Sequence, residues 1–259
     1  MADNGDMPPS PLPLISDIAI SELLSALSAG WYDFKAAPAF GVFFSSVYVL
    51  GGIALVFLGA GTVAWTLAFS LGFPLVAPFA AVGLYEVSRR LDADEPLIWR
   101  EILGVVIREK DRQIPWLGAI IVIYFLFWTF LAHMIFALFM GPSALINVST
   151  SIDTYLSVRG IAMIAVELVV GAVFAFVLFC LTAISLPLLL DLELDFVTAM
   201  SLSLRTVRKN PLTMFVWAAI IAMLSFLAML PAFLGLFVIL PVLGHATWHL
   251  YRRVLYQET

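Results

Sequence analysis

Charged residues are scarce in this sequence. Asp, Glu, Lys and Arg make up 12% of the 259 residues, hydrophobic residues make up 63%, and the mean hydropathy is +1.05. Soluble domains carry about 25% charged residues, so the composition predicts a chain embedded in a lipid bilayer. The basic residues form no Lys/Arg-rich stripe of the kind that neutralises phosphates, which argues against a nucleic-acid partner.

Residues that carry chemistry are also few. The single cysteine, Cys180, cannot form an internal disulfide or a cysteine metal cluster. There are three histidines, and the sequence has no HExxH motif, no glycine-rich phosphate loop and no nucleophile elbow. We therefore predict a non-enzymatic protein without a cofactor.

The first residues, "MADNGDMPPSPLPL", are acidic and rich in proline. A signal peptide needs positive charge followed by an apolar helix, so no cleaved signal is expected. We predict that residues 1–14 form a disordered Pro-rich cytoplasmic tail and that residues 15–259 form a single membrane domain.

Long apolar runs dominate the rest of the chain. A membrane helix needs about 20 apolar residues, and both the first and the last run are long enough for two spans, with turns at Gly59–Thr62 and Met229–Gly235. The runs are Pro38–Tyr85, Trp116–Met140, Gly160–Leu190 and Pro211–Leu250. The sequence therefore predicts an all-α polytopic protein with six transmembrane helices. The fourth span is longer than the hydrocarbon core requires, so we expect it to tilt or bend, with Pro187 as the bending point.

The distribution of basic residues predicts the orientation. Lys and Arg concentrate on the cytoplasmic side of membrane proteins, and six spans with both termini in the cytoplasm leave only Arg159 on the outside. We expect the basic residues near the span ends to anchor the protein at the interface. These anchors are Lys35, Arg89, Arg90, Arg112, Arg208, Arg252 and Arg253.

Three prolines suggest an internal repeat. Before each of Pro38, Pro115 and Pro211 the sequence has apolar residues at every third or fourth position and a basic residue three positions before the proline. This pattern predicts an amphipathic interfacial helix followed by a hairpin of two spans. The predicted interfacial helices are Ile20–Lys35, Leu97–Arg112 and Phe196–Lys209, and the units cover residues 15–90, 97–195 and 196–253.

The segment "PVLGHATWHLYRR" places His245 and His249 one helical turn apart. The corresponding segment of the first unit, "PFAAVGLYEVSRR", has Val82 and Glu86 at these positions, so the shared frame does not require histidine. A His-x-x-x-His pair could still ligate a metal or a haem. We favour a structural, hydrogen-bonding role and keep the metal site as the alternative.

Two further ionisable residues lie within predicted spans. His133 is near the outer end of the third span and Glu167 is near the outer end of the fourth, so an antiparallel hairpin would bring them to a similar depth. Ionisable groups inside a membrane are costly and are often functional. The pair either ties two helices together, the reading we favour, or moves protons or a solute.

The stretches "SLSLRTVRKNPLTMFVWAAI" and "PVLGHATWHLYRR" resemble a family of uncharacterised bacterial integral membrane proteins, a domain of unknown function whose members are sometimes labelled cytochrome c oxidase subunit I-like. The resemblance is strongest from Phe196 to Arg253 and extends over most of the chain after the tail. It implies a six-helix protein of the bacterial inner membrane and supplies no catalytic residues. Three histidines on opposite faces cannot build an oxidase centre.

These observations leave three interpretations of function. The first is a scaffold, accessory or assembly subunit of a membrane complex, for which a respiratory complex is one candidate. The second is a small-solute or ion transporter or channel that uses His133 and Glu167. The third and weakest is a haem- or metal-binding membrane protein that uses His245 and His249.

Overall fold

A computed structural model of the chain describes residues 13–57, 63–141 and 152–256. Within these ranges the chain forms helices and no strand. The helices are α1 (Ile20–Ala36), α2 (Pro38–Phe57), α3 (Val63–Asp92), α4 (Trp99–Arg108), α5 (Ile114–Met140), α6 (Ile152–Leu156), α7 (Val158–Thr182), α8 (Ser185–Asp191), α9 (Phe196–Lys209), α10 (Pro211–Met229) and α11 (Leu236–Leu255), with a 3-10 turn at Glu109–Asp111. Most of the predicted tail and the predicted turn Gly59–Thr62 lie outside the described residues.

The described residues contain three helical stretches that are long and apolar enough to cross a membrane. They are Ile114–Met140, Val158–Asp191 and Pro211–Met229. A fourth crossing is counted if α1 and the first part of α2 form one span with a bend of 104°. The all-α membrane protein predicted from composition is confirmed at this level, whereas the count of six spans and the three hairpins remain a proposal.

The three segments predicted as amphipathic helices are helical. They correspond to α1, to α4 with the 3-10 turn, and to α9. Asp195 caps α9 by accepting a hydrogen bond from the Thr198 N–H at 2.9 Å, as residues at this position commonly do. The position of these helices along a membrane surface remains a prediction.

Prolines end the first and the last of these helices in the same way. Ala37 separates α1 from α2 with φ −134° and ψ 52°, and Asn210 separates α9 from α10 with φ −118° and ψ 54°. Each is followed by a proline that begins the next helix. Proline disfavours helical backbone in the residue before it, so the preceding helix ends at that residue. The second unit differs, since Pro115 lies inside the first turn of α5.

The long apolar run Gly160–Leu190 is interrupted close to its proline. The chain leaves the helix at Ala183 and Ile184, between α7 and α8. Pro187 lacks the N–H that would have bonded to the carbonyl of Ala183, four residues earlier. The helix is thus interrupted one turn before Pro187, and a bend at this point remains a prediction.

The main core lies where α1, α3, α8, α9, α10 and α11 meet. Trp248 and Tyr251 of α11 and Trp217 of α10 are almost completely buried there. The extended segment before α1 is held by Asn210, whose side chain accepts from the Ile18 N–H at 2.9 Å and donates to the Ser16 carbonyl at 3.0 Å. The break between α9 and α10 at Asn210 is therefore fixed to the segment that precedes α1.

Candidate functional site

A set of hydrogen-bonded polar side chains lies between α1, α3 and α11. We call it the polar cluster, and its members are Asp33, Ser88, Asp92, His245 and His249. Ser88 and His245 have no exposed surface. Buried polar atoms of this kind need partners inside the protein, so the contacts within the cluster determine its chemistry.

Ser88 connects α1 with α11 through its hydroxyl. The hydroxyl donates to Asp33 Oδ2 at 2.7 Å, and its oxygen lies 2.8 Å from Nδ1 of His245. A serine hydroxyl has only one proton, so with Asp33 accepting it, His245 donates its own Nδ1–H to Ser88. This assigns the Nδ1–H form to a neutral ring. The other nitrogen of His245, Nε2, is buried and has no hydrogen-bond partner within the part of the chain that the structure describes.

His249 lies between two carboxylates. Its Nε2 is 2.8 Å from Asp33 Oδ2, and its Nδ1 is 3.8 Å from Asp92 Oδ1. Asp92 also accepts the Nε1–H of Trp248 at 2.9 Å. Because Asp33 accepts from Ser88 and His249 together, a single carboxylate of α1 holds both α3 and α11.

These contacts affect whether His245 and His249 could bind a metal or a haem. The two histidines do lie one turn apart on α11, but Nδ1 of His245 faces Ser88 and Nε2 of His249 faces Asp33. Among the described residues there is no group of three or more His, Cys, Asp or Glu side chains that could hold a metal ion. A metal bound by both rings through these nitrogens would have to displace the Ser88 and Asp33 contacts. The interpretation remains a prediction.

The corresponding positions of the first unit are buried in the same way. Val82 and Glu86 have no exposed surface, like His245. Glu86 accepts from Nε and Nη2 of Arg89, at 2.7 and 2.9 Å, and from Nε of Arg90 at 2.8 Å. Both units therefore place polar groups on the inner side of the segment, as an ion cluster in one and as a histidine network in the other.

The residues predicted as interfacial anchors have different surroundings. Arg90 is 8% exposed and also donates a hydrogen bond to Glu101 at 2.7 Å. Its guanidinium is therefore bonded to groups within the protein. Lys35 lies over the Tyr32 ring at 4.3 Å, and Arg252 lies over the Tyr256 ring at 4.4 Å. For Lys35, Arg89, Arg112, Arg208, Arg252 and Arg253, contact with lipid remains a prediction.

His133 and Glu167 lie on the neighbouring helices α5 and α7. Nδ1 of His133 is 2.7 Å from the Thr129 carbonyl of its own helix, and its side chain is exposed. The helices that carry them, α5 and α7, pack against each other. No hydrogen bond or ion pair joins them among the described residues. A functional pair at this place remains a prediction.

An apolar cavity of about 370 Å³ lies between α2, α3, α7, α8, α10 and α11. Its walls include Tyr48, Tyr85, Phe179 and Leu243. The Tyr48 hydroxyl is turned away from solvent and donates to the Ala77 carbonyl at 2.8 Å. Neither His133 nor Glu167 lines this space, so it offers no polar passage to that pair.

Reasoning from the sequence did not identify Asp33, Ser88 or Asp92. One signal was available for Asp33, because it lies three residues after Gly30 and seven after Ala26, which are buried on one face of α1. An acidic residue on the buried side of an amphipathic helix needs a partner. Ser88 and Asp92 carry no such signal.

Comparison with protein-family models gives one finding. Residues 65–191 match the model of the family DUF2189, described as predicted integral membrane protein. The matched residues precede the segments on which the sequence resemblance was based. Comparison with curated proteins and with solved structures gives no match. Over residues 65–191, therefore, the chain is similar to a family of predicted integral membrane proteins, which confirms the resemblance to uncharacterised membrane proteins predicted from the sequence.

Proposed function

We propose that the protein is a non-enzymatic integral membrane protein that acts as a scaffold, accessory or assembly subunit of a membrane complex, with a respiratory complex as one candidate. In this proposal it lies in the bacterial inner membrane, crosses it six times in three hairpins, and has both termini in the cytoplasm. The family match supports the membrane location, and the distribution of basic residues supports the orientation.

One observation carries the proposal. In the apolar part of each candidate span, only 6% is buried within the protein for α5 and 6% for the α7–α8 stretch. The corresponding share for α10 is 22%. Large side chains such as Phe130 and Leu168 are each 68% exposed. Helices of a self-contained bundle bury one face against their neighbours, so the α5–α7 hairpin has surface for a partner subunit in addition to lipid.

Site-specific photo-crosslinking tests this role. A photoreactive residue would replace Phe130 or Leu168 in native membranes, and a third variant would carry it at Phe40, which is buried. The expected result is that Phe130 and Leu168 give adducts with the same membrane-complex subunit in a fixed ratio, whereas Phe40 gives none. Adducts with lipid alone at both exposed positions would contradict the scaffold role.

A transporter or channel is the second candidate. It is favoured by the location of two ionisable residues, His133 and Glu167, on the adjacent helices α5 and α7. Transport sites are usually lined by several polar groups near the midplane. The cavity of about 370 Å³ between α2, α3, α7, α8, α10 and α11 is mainly apolar. The scaffold role is therefore the one that the described residues support better.

A further inference from the structure

A charged cavity of about 200 Å³ lies between the end of α3, α4 with the 3-10 turn, and the end of α8. It is separate from the polar cluster. Its lining has three arginines and three carboxylates, with Val105 and Leu190 as apolar neighbours. The charged residues are Glu86, Arg89, Arg108, Glu109, Arg112 and Asp191.

The cavity lies at the ends of two candidate spans. α5 begins at Ile114, two residues after Arg112, and the stretch Val158–Asp191 ends at Asp191 itself. The ends of membrane-spanning helices lie near the boundary between hydrocarbon and headgroups. In the proposed topology, this boundary is the cytoplasmic one.

Glu109 has one carboxylate oxygen that the protein does not satisfy. Its Oε1 accepts from Nη1 of Arg112 at 2.8 Å, whereas its Oε2 is buried and has no hydrogen-bond partner among the described residues. The residue is only 3% exposed. A buried acceptor without a donor is unfavourable, so the lining lacks an N–H or O–H group at this point.

Arg108 is the opposite case, a positively charged hydrogen-bond donor at the same cavity. It is exposed and forms no ion pair among the described residues, while its charge reaches Glu109. Its Nη1 lies over Gly104, 3.6 Å from the place where a Cβ would be. Arg89 and Arg112, in contrast, are bonded to Glu86 and Glu109. Arg108 is thus a guanidinium at the cavity for which the described residues supply no ion-pair partner.

We propose that the charged cavity binds a phospholipid headgroup that carries both a phosphate and a primary ammonium, as phosphoethanolamine does. Arg108 contacts the phosphate, and Oε2 of Glu109 accepts an N–H of the ammonium. A simple anion would leave Glu109 without a donor, and a simple cation would lie beside Arg108, so a zwitterion matches the lining better than either. The inference uses the membrane location but does not depend on the scaffold role.

A series of lipids with the same acyl chains tests the ammonium contact without altering the protein. The lipids are phosphatidylethanolamine, its N-methyl and N,N-dimethyl forms, and phosphatidylcholine, whose nitrogen has no N–H. Each would be added to the delipidated protein in detergent, and bound lipid would be measured by native mass spectrometry. We expect phosphatidylethanolamine to bind about tenfold more tightly than phosphatidylcholine, which corresponds to about 1.4 kcal/mol. Equal binding would overturn the proposal and leave only water at Glu109.

Two variants assign the contacts to residues. E109Q should remove the preference for phosphatidylethanolamine, and R108Q should weaken binding of all four lipids. R205Q is the matched control, because Arg205 is exposed on α9 and does not line the cavity. Unchanged binding in R108Q, or a preference that survives in folded E109Q, would contradict the assignment. If E109Q does not fold, R108Q and the lipid series still decide.

A soluble competitor identifies the source of the headgroup. Glycerophosphoethanolamine has the same phosphate and ammonium but no acyl chains. A headgroup site at the membrane boundary should hold the lipid when this compound is present at equal concentration. Complete displacement would show that the cavity takes a free solute and would contradict the lipid assignment.

Discussion

Gly30 and Val242 bring the backbones of α1 and α11 into direct contact. A Cβ placed on Gly30 would lie 2.5 Å from the Val242 carbonyl oxygen and 2.6 Å from the Ala246 nitrogen. No side-chain rotation relieves contacts with backbone atoms. The close approach of the two helices therefore depends on glycine at this position, and it also brings Asp33 close to His249.

We expect G30A to destabilise the protein by about 1–3 kcal/mol, the usual cost of overpacking a well-packed core. The measurement is thermal unfolding in detergent, followed by the loss of helical circular dichroism. G104A is the control, because the nearest atom to its added Cβ would be 3.6 Å away, and alanine favours helix more than glycine does. Equal midpoints for both variants would contradict direct contact between α1 and α11.

D33N tests the polar cluster. Asp33 Oδ2 accepts hydrogen bonds from both Ser88 and His249. The side chain of asparagine is neutral, so it cannot replace the charged acceptor in these two hydrogen bonds. We expect a loss of roughly 2–3 kcal/mol in the free energy of unfolding, within the range for buried hydrogen bonds to charged groups. D17N is the control, since its side chain is 82% exposed. A D33N protein as stable as D17N would show that the cluster does not hold the helices together.

Glu109 should make stability depend on pH. Burial raises the pKa of its carboxyl above the ordinary value of 4.5, and the hydrogen bond from Arg112 opposes this only in part. The folded protein thus holds this proton more tightly than the unfolded chain, so the stability it contributes is present below pH 4.5 and is lost as the pH rises through the folded pKa. The unfolding midpoint of the wild type relative to E109Q should therefore fall as the pH rises from about 4 to about 7. A difference that does not change with pH would contradict the raised pKa.

The orientation can be tested with reporter fusions. With six spans and both termini inside, a fusion after Thr259 should be active only with a cytoplasmic reporter. A fusion beside Arg159 should be active only with a periplasmic one, because this is the basic residue expected outside. Periplasmic activity after Thr259 would overturn the count of six.

E167Q separates the two roles of the intramembrane pair. If His133 and Glu167 only tie α5 to α7, the neutral amide should leave the level of folded protein in the membrane within about twofold of wild type, since intramembrane hydrogen bonds contribute about 0.6 kcal/mol on average. Proton movement through the pair would instead be lost in E167Q and would be measured as a pH change inside vesicles that contain the protein. H133N should then behave as E167Q does.

Local signals in the sequence predicted the helices well. The prolines at 38, 187 and 211 and the apolar runs act within a few residues, so the breaks could be placed from the chain alone. The contact of Asp33 with Ser88 and His249 could not, because the partners are 55 and 216 residues away. Glu109 likewise takes its character from burial among helices that no local pattern specifies.

The polar cluster also sets an order of events during synthesis. Asp33 and His249 are 216 residues apart, and at about 5–20 residues per second roughly 10 to 40 s pass between their translation. During that time the Asp33 carboxylate cannot bond to His249, so α1 cannot take its final place. The contact between α1 and α11 in the polar cluster can therefore form only after α11 has been synthesised.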